Sequence, residues 1–358
     1  MIGGHAVFCH ELSARQAKLG LNIEVFTSLR GGLSRHEMIN TGYLVSRLKS
    51  VWMPWDSLGM SNPFTPSLYG GIRERNCDLV DVHGHLFWMT ALSVKAALDA
   101  GKPVVATVHG LFALRDWLTN LSQKLYISSV GTWLLRNSTR VIALTHSDAK
   151  ELANLGVRKR NLRVIPIAID PNQFKPRESK PSTIVWAGRL VPEKGLETFL
   201  EALAGLRGAR IPRLIIVGAG PMKKRLVHLV TMLDISAHVS FRQEVARSEV
   251  AKLLGESEIF VLSSLKEGLP MILLEAMAAG NMIIASSLPS IREVVGEAGM
   301  YFKPRDSAEL ASLLSSALSD RELRRRKGRI ARKVVEQKFT WDVVLPMLED
   351  LYGEVASS

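Results

Sequence analysis

The sequence has few cysteines, no long apolar run and no start of the secretory type. Cys9 and Cys77 are the only two cysteines in 358 residues. Two are too few for a disulfide framework or a cysteine metal cluster, so we expect reduced thiols in a cytoplasmic protein. No apolar run approaches the ~18 residues that a transmembrane helix needs. The first residues, MIGGHAVFCHELSARQ, lack the basic start and apolar core of a secretory signal.

Positive charge exceeds negative charge, mostly in the first half of the chain. The net charge is +12, and the first 175 residues hold 20 Lys and Arg against 12 Asp and Glu. Such an excess attracts anionic lipid surfaces, acidic substrates and nucleic acid. The densest basic run, RELRRRKGRIARK (321–333), has Ile330 and Val334 at helical spacing and is interpreted as a solvated helix face. No nucleic-acid motif accompanies the charge, so no nucleic-acid partner is expected.

Short β-branched segments alternate with helix-length segments along the chain. Strands are predicted in two series: 21–27, 78–82, 103–108, 139–145 and 162–167, then 182–188, 213–218, 238–241, 258–263 and 281–286. Predicted helices between or after them include 195–206, 221–233, 270–279 and 307–319. This alternation indicates an α/β protein with two doubly wound parallel sheets. The polar segment 169–182 is interpreted as their linker, and ligands are expected in a cleft at the carboxyl ends of the strands.

The segment GRLVPEKG (188–195) directly follows a predicted strand. Gly188 permits a tight turn, while Arg189 and Lys194 place two cations at the carboxyl edge of that strand. Arginine forks onto phosphate oxygens and lysine acts as a point charge, which is the chemistry of diphosphate recognition. On this segment alone, two surface cations on a loop are an equal alternative.

The segment VGAGP (217–221) is another strand followed by a glycine-rich turn. Gly218 and Gly220 would let the backbone approach a ligand closely. The full dinucleotide fingerprint is missing. Pro221 suits the first position of a helix, so helix initiation explains part of the pattern.

The segment KEGLPMILLEAMAAG (266–280) sets Glu267 and Glu275 eight positions apart around an apolar run. Pro270 and Gly280 predict the start and end of a helix, so Glu275 lies inside it. Backbone N–H groups at the start of that helix would favour an anion. A buried carboxylate needs a partner. For Glu275, two ribose hydroxyls and a salt bridge to a neighbouring arginine are equal alternatives.

His83 and His85 stand two positions apart, so on a strand both would point to one face. Metal ligation by the pair lacks a nearby acidic cluster to support it. A place in the lining of an acceptor cleft is a second interpretation. Ordinary structural histidines are the interpretation we favour.

Several motifs follow one another in an order that resembles a known family. GRLVPEKG, IIVGAGP, SSLKEGLPMILLEAMAAG and SLPSIREVVGEAG are similar to the nucleotide-binding domain of family 4 retaining glycosyltransferases, which have the GT-B fold. Glu267 and Glu275 meet the E-x(7)-E motif of that family in full. Weaker similarity runs through LVDVHGHL, PVVATVHG and VIPIAID. The resemblance implies an acceptor-side domain (1–168), a nucleotide-sugar domain (169–340) and a last helix (341–358) that crosses back to the first domain.

The resemblance implies a role for each candidate residue. Arg189 and Lys194 would bind the donor diphosphate and stabilise charge on the leaving group. Glu275 would hold the ribose, and Glu267 would contact the donor sugar, orienting and stabilising rather than attacking. His109 of TVHG would face the transferred sugar. The other donor-side positions are Gly3, Gly4, Gly218, Gly220, Gln243, Gly268 and Leu269, and the acceptor-side candidates are His83 and His85.

The implied activity is transfer of a sugar from a UDP- or GDP-sugar to a glycan or lipid-linked acceptor, with retention of configuration and without a metal or bound cofactor. The segment 110–136 mixes apolar residues, tryptophans and cations. We favour a helix packed on the first sheet there, and contact with an anionic membrane surface is the alternative. A silent sugar-nucleotide-binding scaffold and a GT-B epimerase or phosphorylase are the rival functions.

The start of the chain departs from the family pattern. Family members begin with a strand that leads into a Gly-Gly loop and a helix, whereas here the loop and helix follow Met1 almost at once. The absent strand would be central in its sheet and would leave its neighbours unpaired. We expect a true start upstream, with a damaged or rearranged copy as the alternative.

Overall fold

The computed structural model describes residues 3–29, 31–51, 62–110, 117–178, 183–206, 211–243 and 245–357. The chain divides into two compact units. The N-terminal unit holds most of the chain up to Ile165 and, from Leu345 onward, most of the last helix. The C-terminal unit runs from Pro166 to Val344.

The N-terminal unit contains two separate sheets. The strands are β1 (Glu24–Ser28), β2 (His36–Met38), β3 (Leu44–Leu48), β4 (Val80–His83), β5 (Val104–Val108), β6 (Arg140–Ala143) and β7 (Leu162–Val164). One sheet has the order β1-β3-β2 and the other β4-β5-β6-β7, with only the β2–β3 pair antiparallel. Thus β1 and β4 are edge strands, each paired on one side among the described residues. Strands β2 and β3 were not predicted, and the remaining five lie at predicted positions.

Helices accompany the strands of this unit. They are α1 (Gly4–Lys18), α2 (Ser67–Arg73), α3 (Trp88–Asp99), α4 (Trp117–Tyr126), α5 (Thr132–Asn137) and α6 (His146–Asn154). A π-helical turn, Ile127–Gly131, joins α4 to α5. Every residue of β5 is buried, as expected for a parallel strand covered on both faces.

The C-terminal unit is a single doubly wound sheet. Its strands are β8 (Thr183–Ala187), β9 (Arg213–Val217), β10 (Val239–Arg242), β11 (Ile259–Leu262), β12 (Met282–Ser286) and β13 (Gly299–Phe302). All six are parallel in the order β10-β9-β8-β11-β12-β13. The chain therefore builds outward from β8 in one direction and from β11 in the other. The order reverses between β8 and β11, where ligands of such sheets bind.

Seven helices described in this unit accompany the sheet, and an eighth, the last, begins in this unit and continues into the N-terminal unit. They are α7 (Leu196–Ala204), α8 (Lys223–Met232), α9 (Arg247–Gly255), α10 (Met271–Ala278), α11 (Pro289–Val295), α12 (Ser307–Ser319), α13 (Arg321–Lys338) and α14 (Trp341–Ala356). The larger part of α14 belongs to the N-terminal unit. There the Tyr352 hydroxyl donates to Asp81 Oδ2 at 2.7 Å. No helix in the described ranges is long and apolar enough to span a bilayer.

The basic run in α13 is not wholly a solvated face, which corrects the sequence interpretation. Its buried residues are Gly328, Ala331 and Val335, whereas Ile330 is exposed. A Cβ at Gly328 would lie 2.0 Å from the carbonyl oxygen of Gly280, so glycine lets this helix approach the end of α10 closely. The spacing of apolar residues could not predict this contact, because it depends on the absence of a side chain at Gly328.

The segment interpreted as a linker packs on the C-terminal unit. Phe174 is fully buried, and the Arg177 amide donates to the carbonyl of Gly255 at 2.9 Å. Residues 179–182 of this segment lie outside the described residues. The low apolar content of the segment predicted a linker, although one aromatic residue in it, Phe174, is buried in the C-terminal unit.

Candidate functional site

The donor-side residues predicted from sequence follow neighbouring strands of the C-terminal sheet. Arg189 and Lys194 follow β8, and Glu267 follows β11. Because β8 and β11 are adjacent and parallel, their carboxyl ends lie at one edge of the sheet, where the strand order reverses. Lys194 and Glu267 meet in an ion pair, and Arg189 lies on the same loop as Lys194.

The loop after β8 is held against the loop after β11. Gly195 has φ +58°, and a Cβ there would lie 2.2 Å from the carbonyl oxygen of Ser263. The Ser263 hydroxyl donates to the carbonyl of Lys194 at 2.9 Å, and the Leu265 amide donates to the carbonyl of Glu193 at 2.7 Å. Only glycine at 195 allows the two loops to pack this closely.

Both predicted diphosphate ligands make ion pairs. Arg189 pairs with Glu193 at 3.2 Å, and about half of its side chain is exposed. Lys194 forms an ion pair with Glu267, and the exposed fractions of the two side chains are 17% and 11%. The Ser264 hydroxyl also donates to Glu267 Oε1 at 2.7 Å. The loop after β11 is thus fixed to the loop after β8 by charge as well as by backbone contacts.

Helix α10 begins at Met271 without a side-chain cap. The preceding residues, Gly268 and Leu269, are buried. The Ser290 hydroxyl donates to the carbonyl oxygen of Glu267 at 2.9 Å and so fixes this approach to the helix. An uncapped helix start has unsatisfied N–H groups and a favourable dipole for an anion.

Glu275 meets an arginine. Its Oε1 lies 2.8 Å from Nη2 of Arg247 on α9, and the exposed fractions of the Glu275 and Arg247 side chains are 8% and 33%. Arg247 also lies over the Phe174 ring, 5.3 Å from its centroid. Burial raises the pKa of Glu275, and the Arg247 charge opposes that rise. Of the two alternatives from sequence, the structure contains the salt bridge, while the ribose contact stays a prediction.

The glycines after β9 approach the chain itself. A Cβ at Gly218 would lie 1.9 Å from the carbonyl oxygen of Gly188, and a Cβ at Gly220 would lie 2.4 Å from that of Leu190. Close packing of these two loops accounts for both glycines, and their contact with a ligand stays a prediction. Gln243 directly follows β10 and is exposed.

The N-terminal candidates form a second cluster. Gly3 caps α1 and Gly4 is its first residue, so the predicted Gly-Gly loop ends at this helix. His83 Nδ1 lies 3.0 Å from His109 Nε2, and the ring centroids of His5 and His109 are 4.4 Å apart. The roles of Gly3, Gly4 and His109 toward a donor stay predictions.

The Cys9 thiol and the Asp81 carboxylate shift the pKa of a histidine in this cluster. Burial raises the pKa of the Cys9 thiol, but hydrogen bonds and charges from His83 and His5 outweigh it and bring that pKa to about 6. Burial lowers the pKa of His83, yet Cys9 and Asp81 raise it well above its usual value. The pKa of His109 is well below its usual value because of burial and the neighbouring His5 and His83.

His85 does not share a strand face with His83, which corrects the expectation from spacing. Strand β4 ends at His83, and Gly84 has φ +84°. The chain turns at that glycine, and His85 is buried beside Gly131 instead. Gly84, immediately after the strand, was the feature of the sequence that could have predicted this turn.

Sequence reasoning missed three partners in these clusters. Arg247 lies 28 positions before Glu275, and no local pattern joins them. His5 and Cys9 are separated by four residues, which places them on one face of α1. That spacing could have been read, but their proximity to His83 depends on the tertiary fold.

Two family models match the chain. "Glycosyltransferase Family 4" matches residues 2–173, and "Glycosyl transferases group 1" matches residues 169–334. Together the two matches cover nearly the whole sequence. The chain therefore belongs to the group 1, family 4 glycosyltransferases, as its motifs predict.

Solved structures confirm the predicted GT-B fold. Sucrose-phosphate synthase from Thermosynechococcus elongatus has a TM-score of 0.82 at 19% identity, covering 99% of this chain and 94% of that chain. Anabaena HepE in complex with UDP-glucose has a TM-score of 0.80 at 19% identity, covering 99% and 97%. Among curated relatives, the MMP alpha-(1->4)-mannosyltransferase of Mycolicibacterium hassiacum is 29% identical, covering 98% of this chain and 94% of the relative. The chain is a glycosyltransferase of the group 1 type.

Proposed function

We propose that this glycosyltransferase transfers a sugar from a nucleoside diphosphate sugar with retention of configuration. The observation that carries the proposal is the ion pair of Lys194 with Glu267 at the reversal of strand order, with Arg189 on the same loop as Lys194 and the uncapped start of α10 shortly after Glu267 in the chain. Two cations and free helix amides suit a diphosphate. The solved relative with UDP-glucose supports a donor of this class.

Each donor-side residue has a distinct part in this proposal. Arg189 and Lys194 neutralise the charge that develops on the departing diphosphate, which lowers the barrier to transfer. Glu267 accepts hydrogen bonds from the sugar hydroxyls, and Glu275 accepts them from the ribose. His109 lies beside the transferred sugar. The reaction uses no metal: the leaving phosphate accepts the proton of the acceptor hydroxyl on the same face of the sugar.

Donor binding is tested by thermal unfolding with UDP-glucose, GDP-mannose and ADP-glucose. A ligand at 100 times its Kd adds about 2.7 kcal/mol to the free energy of unfolding. We expect one base to raise the melting temperature and Lys194→Met to abolish that rise. Glu201→Gln, at an exposed position of α7, is the matched control and should respond like the wild type. No rise with any donor, from a chain that melts cooperatively, would contradict the proposal.

Turnover separates the proposal from its rivals. With the donor found above, we expect slow release of free sugar and nucleoside diphosphate even without an acceptor. The first-formed anomer, read by nuclear magnetic resonance, should keep the configuration of the donor. Binding without any turnover would favour the silent scaffold, and a changed sugar on an intact nucleotide would favour the epimerase.

We further propose a lipid-linked or membrane-proximal glycan acceptor. Leu121 and Leu125 stand one turn apart on α4 with exposed fractions of 49% and 62%, and Lys124 lies between them. Exposed leucines beside a cation suit an anionic bilayer surface. Sedimentation with phosphatidylglycerol vesicles at low salt should carry down the wild type but not Leu125→Glu. Met232→Glu, at an exposed position of α8, is the control, and equal loss in both variants would contradict a specific surface.

A further inference from the structure

A series of hydrogen bonds runs from the last helix to His109 inside the N-terminal unit. The Tyr352 hydroxyl donates to Asp81 Oδ2 at 2.7 Å, and the same oxygen lies 3.2 Å from His83 Nε2. His83 Nδ1 in turn lies 3.0 Å from Nε2 of His109. Four titratable side chains from α14, from β4 and from the residue after β5 are thus connected one to the next.

The fold holds the middle of this series in place. Asp81 and His83 stand two positions apart on β4, so their side chains share one face of the sheet. Strand β5 pairs with β4 in parallel, His83 with Thr107, which brings His109 to the carboxyl ends of both strands. Phe8 is buried, and its ring lies edge-on to both imidazoles, with centroids 6.0 and 5.7 Å away. This phenyl ring limits the access of water to the bond between the two histidines.

The partners of His83 decide which of its nitrogens carry protons. A carboxylate can only accept hydrogen bonds, so Asp81 keeps a proton on Nε2 of His83. Burial lowers the pKa of His83, but Cys9 and Asp81 raise it well above its usual value. His83 is therefore an imidazolium at neutral pH, and its Nδ1 carries a proton as well.

The proton on His83 Nδ1 determines the tautomer of His109. Burial and the neighbouring His5 and His83 hold the pKa of His109 well below its usual value, so its imidazole is neutral and has a single N–H. Because Nε2 of His109 accepts the bond from His83, that N–H is on Nδ1. Within the described ranges no hydrogen bond joins Nδ1 of His109 to another residue. This N–H is therefore available to a ligand.

We propose that Asp81, acting through His83, holds His109 in the tautomer that donates from Nδ1, and that Tyr352 orients Asp81. The inference rests on the proposed function, in which His109 lies beside the transferred sugar. An N–H at that position donates to a sugar oxygen, whereas the other tautomer would turn a lone pair toward it. Asp81, His83 and Tyr352 are thus positioning residues, since each acts through its neighbour and not on the sugar.

Nuclear magnetic resonance of the full chain, with nitrogen-15-labelled histidine and no sugar nucleotide, measures the tautomer. At neutral pH we expect His109 to have a proton on Nδ1 alone and His83 to have protons on both nitrogens. In Asp81→Asn, His83 should lose one proton and His109 should populate both tautomers. Asp78→Asn, at an exposed position just before β4, should match the wild type. A proton on Nε2 of His109 in the wild type, or the same single tautomer in Asp81→Asn, would overturn the proposal.

Turnover with the donor identified by thermal unfolding tests what the tautomer does. Asp81→Asn should lower kcat about tenfold or more and change KM little, because a misplaced donor is felt mainly in the transition state. Tyr352→Phe keeps the charge of Asp81, so we expect the tautomer of His109 to persist and kcat to fall less. Tyr69→Phe is the matched control, because Tyr69 donates to a carboxylate at 2.6 Å on the exposed surface, and it should keep the wild-type kcat.

The outcomes separate this inference from the proposed function. Circular dichroism checks that each variant is folded. A wild-type kcat in folded Asp81→Asn with mixed tautomers would overturn the positioning role, and equal kcat in Tyr352→Phe and Tyr69→Phe would overturn the part given to Tyr352. The expected tautomer in a wild type that shows no turnover would support the arrangement and contradict the proposed function instead.

Discussion

Replacing Arg247 by methionine should destabilise the C-terminal unit in a way that depends on pH. Glu275 is almost completely buried, and among the described residues it forms an ion pair with Arg247 at 2.8 Å. Breaking a buried ion pair by removing one partner costs about 3–5 kcal/mol. A third of Arg247 is exposed, and solvent screens its charge, so we expect about 3 kcal/mol, the lower end of that range.

The sign of the pH dependence follows from the pKa of Glu275. Burial already holds that pKa above its ordinary value, and loss of the Arg247 charge raises it further. A carboxyl with a higher pKa in the folded state than in the unfolded state stabilises the fold while protonated. That stability is lost as the pH rises through the folded pKa. The penalty of Arg247→Met should therefore be small in acid and complete above the folded pKa of Glu275 in the variant.

Hydrogen exchange of the amides in α10 and β11 measures this free energy separately from the N-terminal unit. Arg225→Met is the matched control, because Arg225 pairs with Glu197 at 3.1 Å with 73% of its side chain exposed, and it should cost less than about 1 kcal/mol. Adding Glu275→Gln to Arg247→Met should remove the pH dependence. An equal cost at every pH, or one as small as that of Arg225→Met, would refute the reasoning.

Two further predictions concern the loops of the proposed donor site. Because the side chains of Lys194 and Glu267 are both mostly buried, a double-mutant cycle of Lys194→Met and Glu267→Gln, followed by urea unfolding, should give a coupling of about 1–3 kcal/mol; additive costs would show that the pair does not form in solution. Gly218→Ala should lower the free energy of unfolding by more than about 2 kcal/mol, because its Cβ would lie 1.9 Å from the carbonyl oxygen of Gly188. Gly353→Ala on α14, with no atom within 4 Å of the new Cβ, should instead add about 1 kcal/mol, and equal effects of the two substitutions would contradict the packing argument.

The sequence predicted the C-terminal sheet well because its signals are local. Continuous apolar runs mark buried parallel strands, and Pro270 and Gly280 correctly bounded α10. Strand β13 was missed since its four residues, GMYF, are only partly buried and too short to stand out. Strand β2 was missed for a similar reason, because all three of its residues are exposed.

The interactions that complete each cluster were beyond local reasoning. The sequence indicated that Glu275 needs a partner, but Arg247 sits on another helix and shares no motif with it. Spacing joined His83 to His85, whereas the fold joins His83 to His109 and His5. The need of Glu275 for a partner was correctly predicted, but in both cases the identity of the neighbour depended on the tertiary packing of elements remote in sequence.

Under the proposed function, the ion pair between Lys194 and Glu267 implies an exchange of partners when a donor binds. Lys194 faces Glu267 in the structure, although the proposed function gives the lysine to the diphosphate and the glutamate to the sugar. A phosphate beside Lys194 competes with Glu267 for the same ammonium group, so binding weakens the pair and frees carboxylate lone pairs for the hydroxyls. Glu275 differs, because its partner Arg247 lies on α9 and on neither of the two loops. Arg247 contacts one carboxylate oxygen of Glu275 and could stay in place while a ribose hydroxyl contacts the other oxygen. Under the proposed function the two glutamates of the motif would therefore have different tasks: Glu267 would change partner during binding, and Glu275 would be kept ready by a partner that it does not release.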